Sequence, residues 1–278
     1  MMQETTDVLR DVSQTALVRA VEANLTEFHV LLSEWPEVTL HRDEDRIWTL
    51  SHRRFSLCNV LLEAHFDSAR VGGQIDRAVT PYLKSSVNVM WKLGPSTQPS
   101  NLGDHLVECG FSVRPTLKGM ALDLTELAAS PGRPPSLDIR EDVDSATLEL
   151  WRQAVDRGFG WPSYGARDVA DNLEYLLTAK GSHRRFVAYV GVVEEAPVAS
   201  SLVFFGAGVA GIYHVSADPD HRGRGLGSTI TSAPLVEARS RGYRVAILHA
   251  TEMGYPVYRR LGFEDVCPIG LRLRLSQS

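Results

Sequence analysis

The sequence predicts an α/β protein built as two tandem halves, each with helices packed on a mixed sheet. Three observations predict it. Residues 137–278 alternate between runs that are apolar at every second position and runs apolar at helical spacing. Ala128-Ala-Ser-Pro-Gly-Arg-Pro-Pro-Ser136 holds three prolines and a glycine, so it sustains neither helix nor central strand. It reads as a linker at 128–136 between an N-terminal domain, 1–127, and a C-terminal domain, 137–278. Finally, both halves close on the same succession: a helix, a Gly-Phe pair (Gly110-Phe111 and Gly262-Phe263) and an alternating strand.

Within the second half, Leu137-Asp-Ile-Arg140 is a short opening strand. Residues 145–157 place Leu148, Trp151 and Val155 on one helical face, with Asp144 or Ser145 able to cap it. An aromatic, glycine-rich loop follows, carrying Phe159, Trp161 and Tyr164. Residues 168–180 repeat helical spacing through Val169, Leu173, Leu176 and Leu177. Residues 185–193 and 198–205 read as strands about a turn at Glu194-Glu-Ala-Pro197. A strand over 211–217 then meets a glycine-spaced loop and a helical pattern through Leu226, Ile230, Ala233, Val236 and Ala238. A strand at 245–250, a helix at 255–261 and an alternating strand at 269–275 complete the half. Pro234 stands inside the helical pattern, where a missing N–H should kink or shorten the helix.

In the first half, 17–35 is amphipathic and helical, 47–50 and 55–64 read as strands, 75–83 as a helix and 87–93 as a strand. Leu106-Val-Glu-Cys-Gly110-Phe111 and an alternating Met120-Ala-Leu-Asp-Leu124 end it.

Composition bounds the function. At 278 residues, with 44% hydrophobic and 23% charged residues, the chain reads as an ordinary globular protein long enough for two domains. A net charge of -5 argues against non-specific binding to nucleic acid or an acidic membrane. Between His221 and Arg260, however, seven arginines face only Glu237 and Glu252, which suits a small polyanion; Arg239 and Arg241 equally suit a solvated helix face. Cys58, Cys109 and Cys267 are odd in number and far apart, so neither a disulfide framework nor a Cys-x-x-Cys metal site is expected. The first residues lack the apolar core of a secretory signal, and the apolar stretch at 199–213 is broken by glycines. A cytoplasmic protein without a metal is the expectation.

The chemistry concentrates in Val-Ser-Ala-Asp-Pro-Asp-His-Arg-Gly-Arg-Gly-Leu-Gly-Ser, residues 215–228. A strand, a glycine-spaced loop and a helix start together make a phosphate cradle. Unpaired N–H groups at the helix N-terminus point outward, and the helix dipole adds positive charge there. Glycine at 223, 225 and 227 removes Cβ atoms that would hold an anion away. The dinucleotide fingerprint fails, because Ser228 and Ile230 stand where a further glycine is needed. A Walker A ending is absent too. By itself the glycine spacing equally describes an ordinary turn.

Arg222-x-x-Gly225-x-Gly227 resembles the acetyl-CoA pyrophosphate loop of the GCN5-related N-acetyltransferases (GNAT). Pro256-Val-Tyr258-Arg-Arg-Leu-Gly262-Phe263 resembles that family's terminal helix, with its tyrosine ahead of Leu-Gly-Phe. One helix and one strand separate the two motifs, in the family's order, and the resemblance covers essentially 137–278. It implies two tandem GNAT-like acyl-CoA N-acyltransferase domains, the C-terminal one intact. The N-terminal one is then a degenerate copy, with Arg70-Val-Gly72-Gly73-Gln-Ile75 in place of the loop and Leu106 in place of the tyrosine; an unrelated α+β domain is the alternative.

The resemblance also implies acetyl-CoA as co-substrate. Main-chain groups of Val215 and Ala217 would bond the pantetheine arm. The amides of Arg222, Gly223, Arg224, Gly225, Leu226, Gly227 and Ser228 would hold the diphosphate, with charge-assisted help from Arg222 and Arg224. Tyr258 matches the tyrosine that protonates the departing thiolate, a task suited to a phenol neutral at pH 7; an amphipathic core tyrosine is the plainer alternative. For the base, His214 is the nearest titratable group on the strand before the loop. Strict alternation turns it away from Tyr213's face, and a β-bulge would bring it back. His249 and Glu252 are further candidates, and a base acting through water is another. The family's frequent asparagine after the next strand is replaced by Thr251 and Glu252. The acceptor implied is a small-molecule amine, met by Phe159, Trp161 and Tyr164. A protein N-acetyltransferase and a non-catalytic acyl-CoA-binding protein are the alternatives.

Overall fold

The computed structural model describes residues 8–53, 56–127, 134, 136–141, 144–161, 163–180 and 185–276. Most of the linker expected at 128–136, and the side chain of Tyr164, lie outside the described residues. The chain falls into two compact units. The larger comprises residues 1–28 and 119–266, the smaller 29–118 and 267–278.

The smaller unit begins in the last turn of α1 (Gln14–Leu32). Then come β1 (Val38–Arg42), β2 (Ile47–Ser51), β3 (Val60–Leu62), α2 (Val71–Lys84), β4 (Val89–Leu93) and α3 (Leu102–Glu108). Its strands lie in the order β1-β2-β3-β4-β11, where β11 is Glu264–Arg274. β1, β2 and β3 are antiparallel neighbours; β3 and β4 are parallel, with α2 between them in sequence. Ile75, Val79 and Tyr82 from α2 and Leu102 and Leu106 from α3 pack with Trp48, Leu61 and Trp91 of the sheet. β1 has no counterpart in the sequence reading, and the strand expected over 55–64 shrinks to β3. The reason is Asn59, fully buried, whose side chain accepts from Ser51 N and donates to Arg53 O, both at 2.7 Å. Those bonds satisfy backbone groups that a ladder would otherwise claim, so the chain turns there.

The larger unit takes the first turns of α1, the end of β5 (Ser112–Asp123), then β6 (Asp138–Glu141), α4 (Ser145–Phe159), α5 (Ser163–Lys180), β7 (Phe186–Val193), β8 (Ala196–Gly206), β9 (Val209–Ala217), α6 (Leu226–Ser240), β10 (Val245–Ala250) and α7 (Tyr255–Arg260). The sheet order is β5-β10-β9-β8-β7-β6. β6 to β9 are antiparallel; β9 and β10 are parallel and α6 crosses between them. Leu226, Ile230, Leu235 and Ala238 of α6 and Tyr258 of α7 cover one face with Val203, Phe205, Ala210, Ile212 and Leu248. Trp151 of α4 and Phe28 of α1 cover the other, Phe28 stacking on Tyr213 at 4.2 Å.

Both units thus run antiparallel strands into a parallel β-α-β step, then a short helix and a closing strand. That is the repetition the two Gly-Phe endings imply. The closing strands β5 and β11 each extend into the residue set of the other unit, which no local pattern announces.

α6 continues through Pro234 to Ser240, so the expected shortening does not occur. A proline there leaves the carbonyl four residues back, Ile230 O, without its N–H. The hydroxyl of Ser201, on β8, donates to that oxygen at 2.8 Å. A side chain from the sheet supplies the bond the helix lacks.

Candidate active site

The site grows from the C-terminal end of β9. Pairing with β10 stops at Ile212↔Leu248, yet β9 continues to Ala217. Its edge over 213–217 is therefore unmatched by β10 while β8 still holds the other edge, up to Ala199↔Ala217. Within this stretch Leu202 pairs with Tyr213 and Ser200 with Ser216, so His214 and Val215 together oppose Ser201 alone. This is a β-bulge, and His214 has φ 49° at its centre. The bulge returns His214 to the face of Tyr213: both rings meet Phe28. His214 is also edge-on to Trp151 and Trp161, at 5.6 and 5.9 Å. Phe159 stacks on Trp161 at 4.5 Å.

After β9, Asp218 caps a single 3₁₀ turn (Pro219–His221) by accepting from Asp220 N. The Arg222 guanidinium donates to Ala217 O at 3.3 Å and Gly158 O at 3.1 Å, tying the loop to the ends of β9 and α4. Arg222 is thus a brace as well as a charge. Arg224 is exposed and makes no hydrogen bond or ion pair with a described residue. Gly225 is the N-cap of α6 at φ 80°, with Gly223 at φ 77° before it, a region in which side chains are strained. Nothing lies within 4 Å of where a Cβ would stand on either residue, so that side of the loop is open. Gly227 differs. Its backbone is ordinary and an added Cβ would meet only Val257, at 3.8 Å. No protein atom requires glycine there, and only Val257 borders the space it leaves. A bare first turn beneath an open glycine loop fits an elongated diphosphate ligand. In the smaller unit, by contrast, Gly72 and Gly73 already lie within α2, which starts at Val71 behind Arg70 as N-cap. That helix has no glycine loop ahead of it.

Tyr258 lies in α7, 8% exposed, against the start of α6 and edge-on to Phe263 at 6.1 Å. Burial pushes its phenol well above the ordinary tyrosine range, so it is neutral at physiological pH. Among the described residues none hydrogen-bonds to its hydroxyl. Tyr258 and His214 lie on opposite faces of the sheet, on either side of the place where β9 leaves β10. His249, on β10, faces Tyr213 at 6.0 Å; Glu252 is exposed in the turn before α7.

The arginine-rich stretch does not gather at one place. Arg241 pairs with Glu237 at 2.7 Å, Arg244 with Asp123 at 3.0 Å, and Arg239 and Arg259 donate to the carbonyls of Leu127 and Phe263. Arg260 is exposed at the end of α7, and Arg222 and Arg224 stand at the loop. Conversely, the sequence reading found α1 as a helix but missed its part at the site. Asn24, fully buried, accepts from the Tyr213 hydroxyl at 2.8 Å and donates to Gly206 O at 2.8 Å. Tyr213 lies 189 positions along the chain, and no local signal joins them. Among the described residues no group of three or more His, Cys, Asp or Glu is arranged to hold a metal, and no helix is long and apolar enough to cross a membrane.

Residues 145–266, which contain the loop, the bulge and Tyr258, match the family model of the acetyltransferase (GNAT) domain. This segment belongs to the GNAT acetyltransferase family. An uncharacterised N-acetyltransferase of Streptomyces avermitilis is 33% identical over 47% of this chain and 31% of its own length. A mycothiol acetyltransferase of Cellulomonas flavigena is 29% identical over 55% of this chain and 48% of its own. The chain therefore spans between 31% and 48% of the length of these curated relatives. In fold, a GCN5-related N-acetyltransferase from Kribbella flavida superposes with a TM-score of 0.67 at 17% identity, covering 90% of this chain and 94% of that one. A tandem GNAT protein from the clavulanic acid biosynthesis pathway superposes at 0.56 and 13% identity, over 98% and 97%. The GNAT fold thus extends beyond residues 145–266, and its tandem form accounts for the repeated succession of elements.

Proposed function

We propose that the chain is an acetyl-CoA-dependent N-acetyltransferase that passes an acetyl group directly, in a ternary complex, to the amine of a small molecule. The observation that carries the proposal is the glycine loop at the start of α6, open where Cβ atoms would stand. Amides from Arg222 to Ser228 would hold the diphosphate, and Arg224 has a charge to spare for it. Main-chain groups of Val215 and Ala217, on the β9 edge that β10 leaves, would bond the pantetheine arm. The co-substrate supplies an acyl group activated as a thioester. The protein's own contribution is positioning and proton handling. Tyr258, held neutral by burial, would give its proton to the leaving sulfur. His214, turned back by the bulge, would take the proton of the amine, directly or through water. Phe159 and Trp161 would meet the acceptor's non-reacting part. Relatives named mycothiol acetyltransferase favour a small-molecule acceptor over a protein. In this reading 137–278 carries the chemistry and 1–127 is a degenerate copy.

Isothermal titration with acetyl-CoA, followed by thiol release across an amine panel, tests the proposal. Saturable binding with turnover on at least one small amine is expected. Binding without turnover on any amine would make the chain an acyl-CoA-binding protein instead, and no binding would remove the reading.

A further inference from the structure

We infer that Ser200 and Ser216 are positioning residues that lock the β9 bulge, keeping the strand edge beside His214 in the shape the acyl donor's arm requires. The inference rests on the acetyl-CoA reading above. His214 adopts φ 49°, which is unfavourable for any residue bearing a Cβ, so something must hold it there. Because His214 and Val215 share one partner on β8, main-chain groups at the bulge fall out of the regular ladder. The Ser200 hydroxyl lies 2.8 Å from the His214 carbonyl oxygen and 2.7 Å from the Ser216 hydroxyl. The Ser216 hydroxyl in turn lies 3.0 Å from Ala154 O in α4. Both serines are buried.

The Ser200 hydroxyl donates to the His214 carbonyl, and the Ser216 hydroxyl, 2.7 Å from it, is anchored by donating to Ala154 O of α4. A Cβ on Gly158 of α4 would collide with the Ser216 side chain, so α4 packs directly against this pair. The stretch so braced, 214–217, is the one assigned to the pantetheine arm. The diphosphate loop lies beyond it, tied to Ala217 and Gly158 through Arg222 and with no hydrogen bond to His214 or Ser200.

That separation provides the test. Binding of acetyl-CoA and of 3′-phosphoadenosine 5′-diphosphate, the nucleotide end of CoA without its arm, is measured by titration for the native chain and for Ser200→Ala, Ser200→Thr and Ser216→Ala. Ser200→Ala should weaken acetyl-CoA binding and lower kcat/KM by about tenfold, the order expected for a buried carbonyl losing its donor. Affinity for the nucleotide alone should stay unchanged. Ser200→Thr keeps the hydroxyl and should restore most of the loss. Ser216→Ala leaves the bond to His214 O in place and should show a smaller loss. Equal weakening of both ligands would mean a general structural role and overturn the inference, as would native acetyl-CoA binding and turnover in Ser200→Ala. If the native chain binds neither ligand, the acyl-donor reading itself fails and takes this inference with it.

Discussion

Removing the Ser201 hydroxyl tests whether α6 tolerates its internal proline because the sheet completes its hydrogen bonding. Ile230 is fully buried, and its carbonyl accepts from Ser201 Oγ at 2.8 Å because Pro234 has no N–H to offer. Ser201→Ala leaves that oxygen buried without a donor, a change that typically costs about 1–3 kcal/mol. Pro234→Ala restores an N–H four residues after Ile230, so the oxygen has a second donor and the hydroxyl becomes dispensable. The two substitutions should therefore be coupled by about 1 kcal/mol, with Ser201→Ala costing less beside Ala at 234 than beside proline. Urea unfolding of the native chain, both single variants and the double variant, compared at constant m, measures the coupling. An equal cost of Ser201→Ala in both backgrounds would refute the reasoning, since the hydroxyl would then not be replacing the missing N–H.

Three further outcomes follow from the site and the buried charges. Tyr258→Phe should lower kcat by about a hundredfold or more while acetyl-CoA affinity holds, as expected for loss of a general acid; thiol-release kinetics near those of the native chain would take Tyr258 out of the mechanism. Gly227→Ala fits the protein, its nearest neighbour being 3.8 Å away, so the melting temperature should hold while acetyl-CoA affinity falls; Gly225→Val, at φ 80°, should reduce both. Unaltered affinity in Gly227→Ala would move the ligand off the helix start. Burial lowers Lys92 from 10.5 to about 7, with His29 Nε2 2.7 Å from its amine. The folded chain releases this proton more readily than the unfolded chain, which keeps it up to the ordinary lysine range. Stability should therefore increase as pH rises from about 7 toward 10.5, by at most about 1.4 kcal/mol per unit. Lys92→Met should flatten that rise, and urea midpoints at about pH 7 and about pH 9 measure it.

What could be read in advance was local. The loop at 222–228 and the Tyr258 helix are short motifs whose physical purpose is contained in neighbouring residues, and they sit where the spacing placed them. The bulge at His214 was only a conditional expectation, because a register shift depends on the partner strand. Pro234 read as a place where the helix should kink or shorten for the same reason: the partner of the carbonyl it leaves bare is Ser201, a residue on another element. Asn59 turned an apolar run into a loop through two side-chain bonds that hydropathy does not weigh. Least legible was the role of α1, whose Asn24 and Phe28 meet Tyr213 across most of the chain's length. The arginine count misled because charge is visible in sequence and its partners are not.

The exchange of chain segments has a practical consequence for anyone wishing to cut this protein apart. A fragment begun after the proline-rich stretch would lack Asn24, Phe28 and the strand end at 119–123, all of which belong to the body that bears the glycine loop. Its mirror fragment would lack 267–278. Cut there, each fragment would emerge with an unmatched sheet edge inviting aggregation. A cut that respects both residue sets would have to keep 1–28 with 119–266 and 29–118 with 267–278.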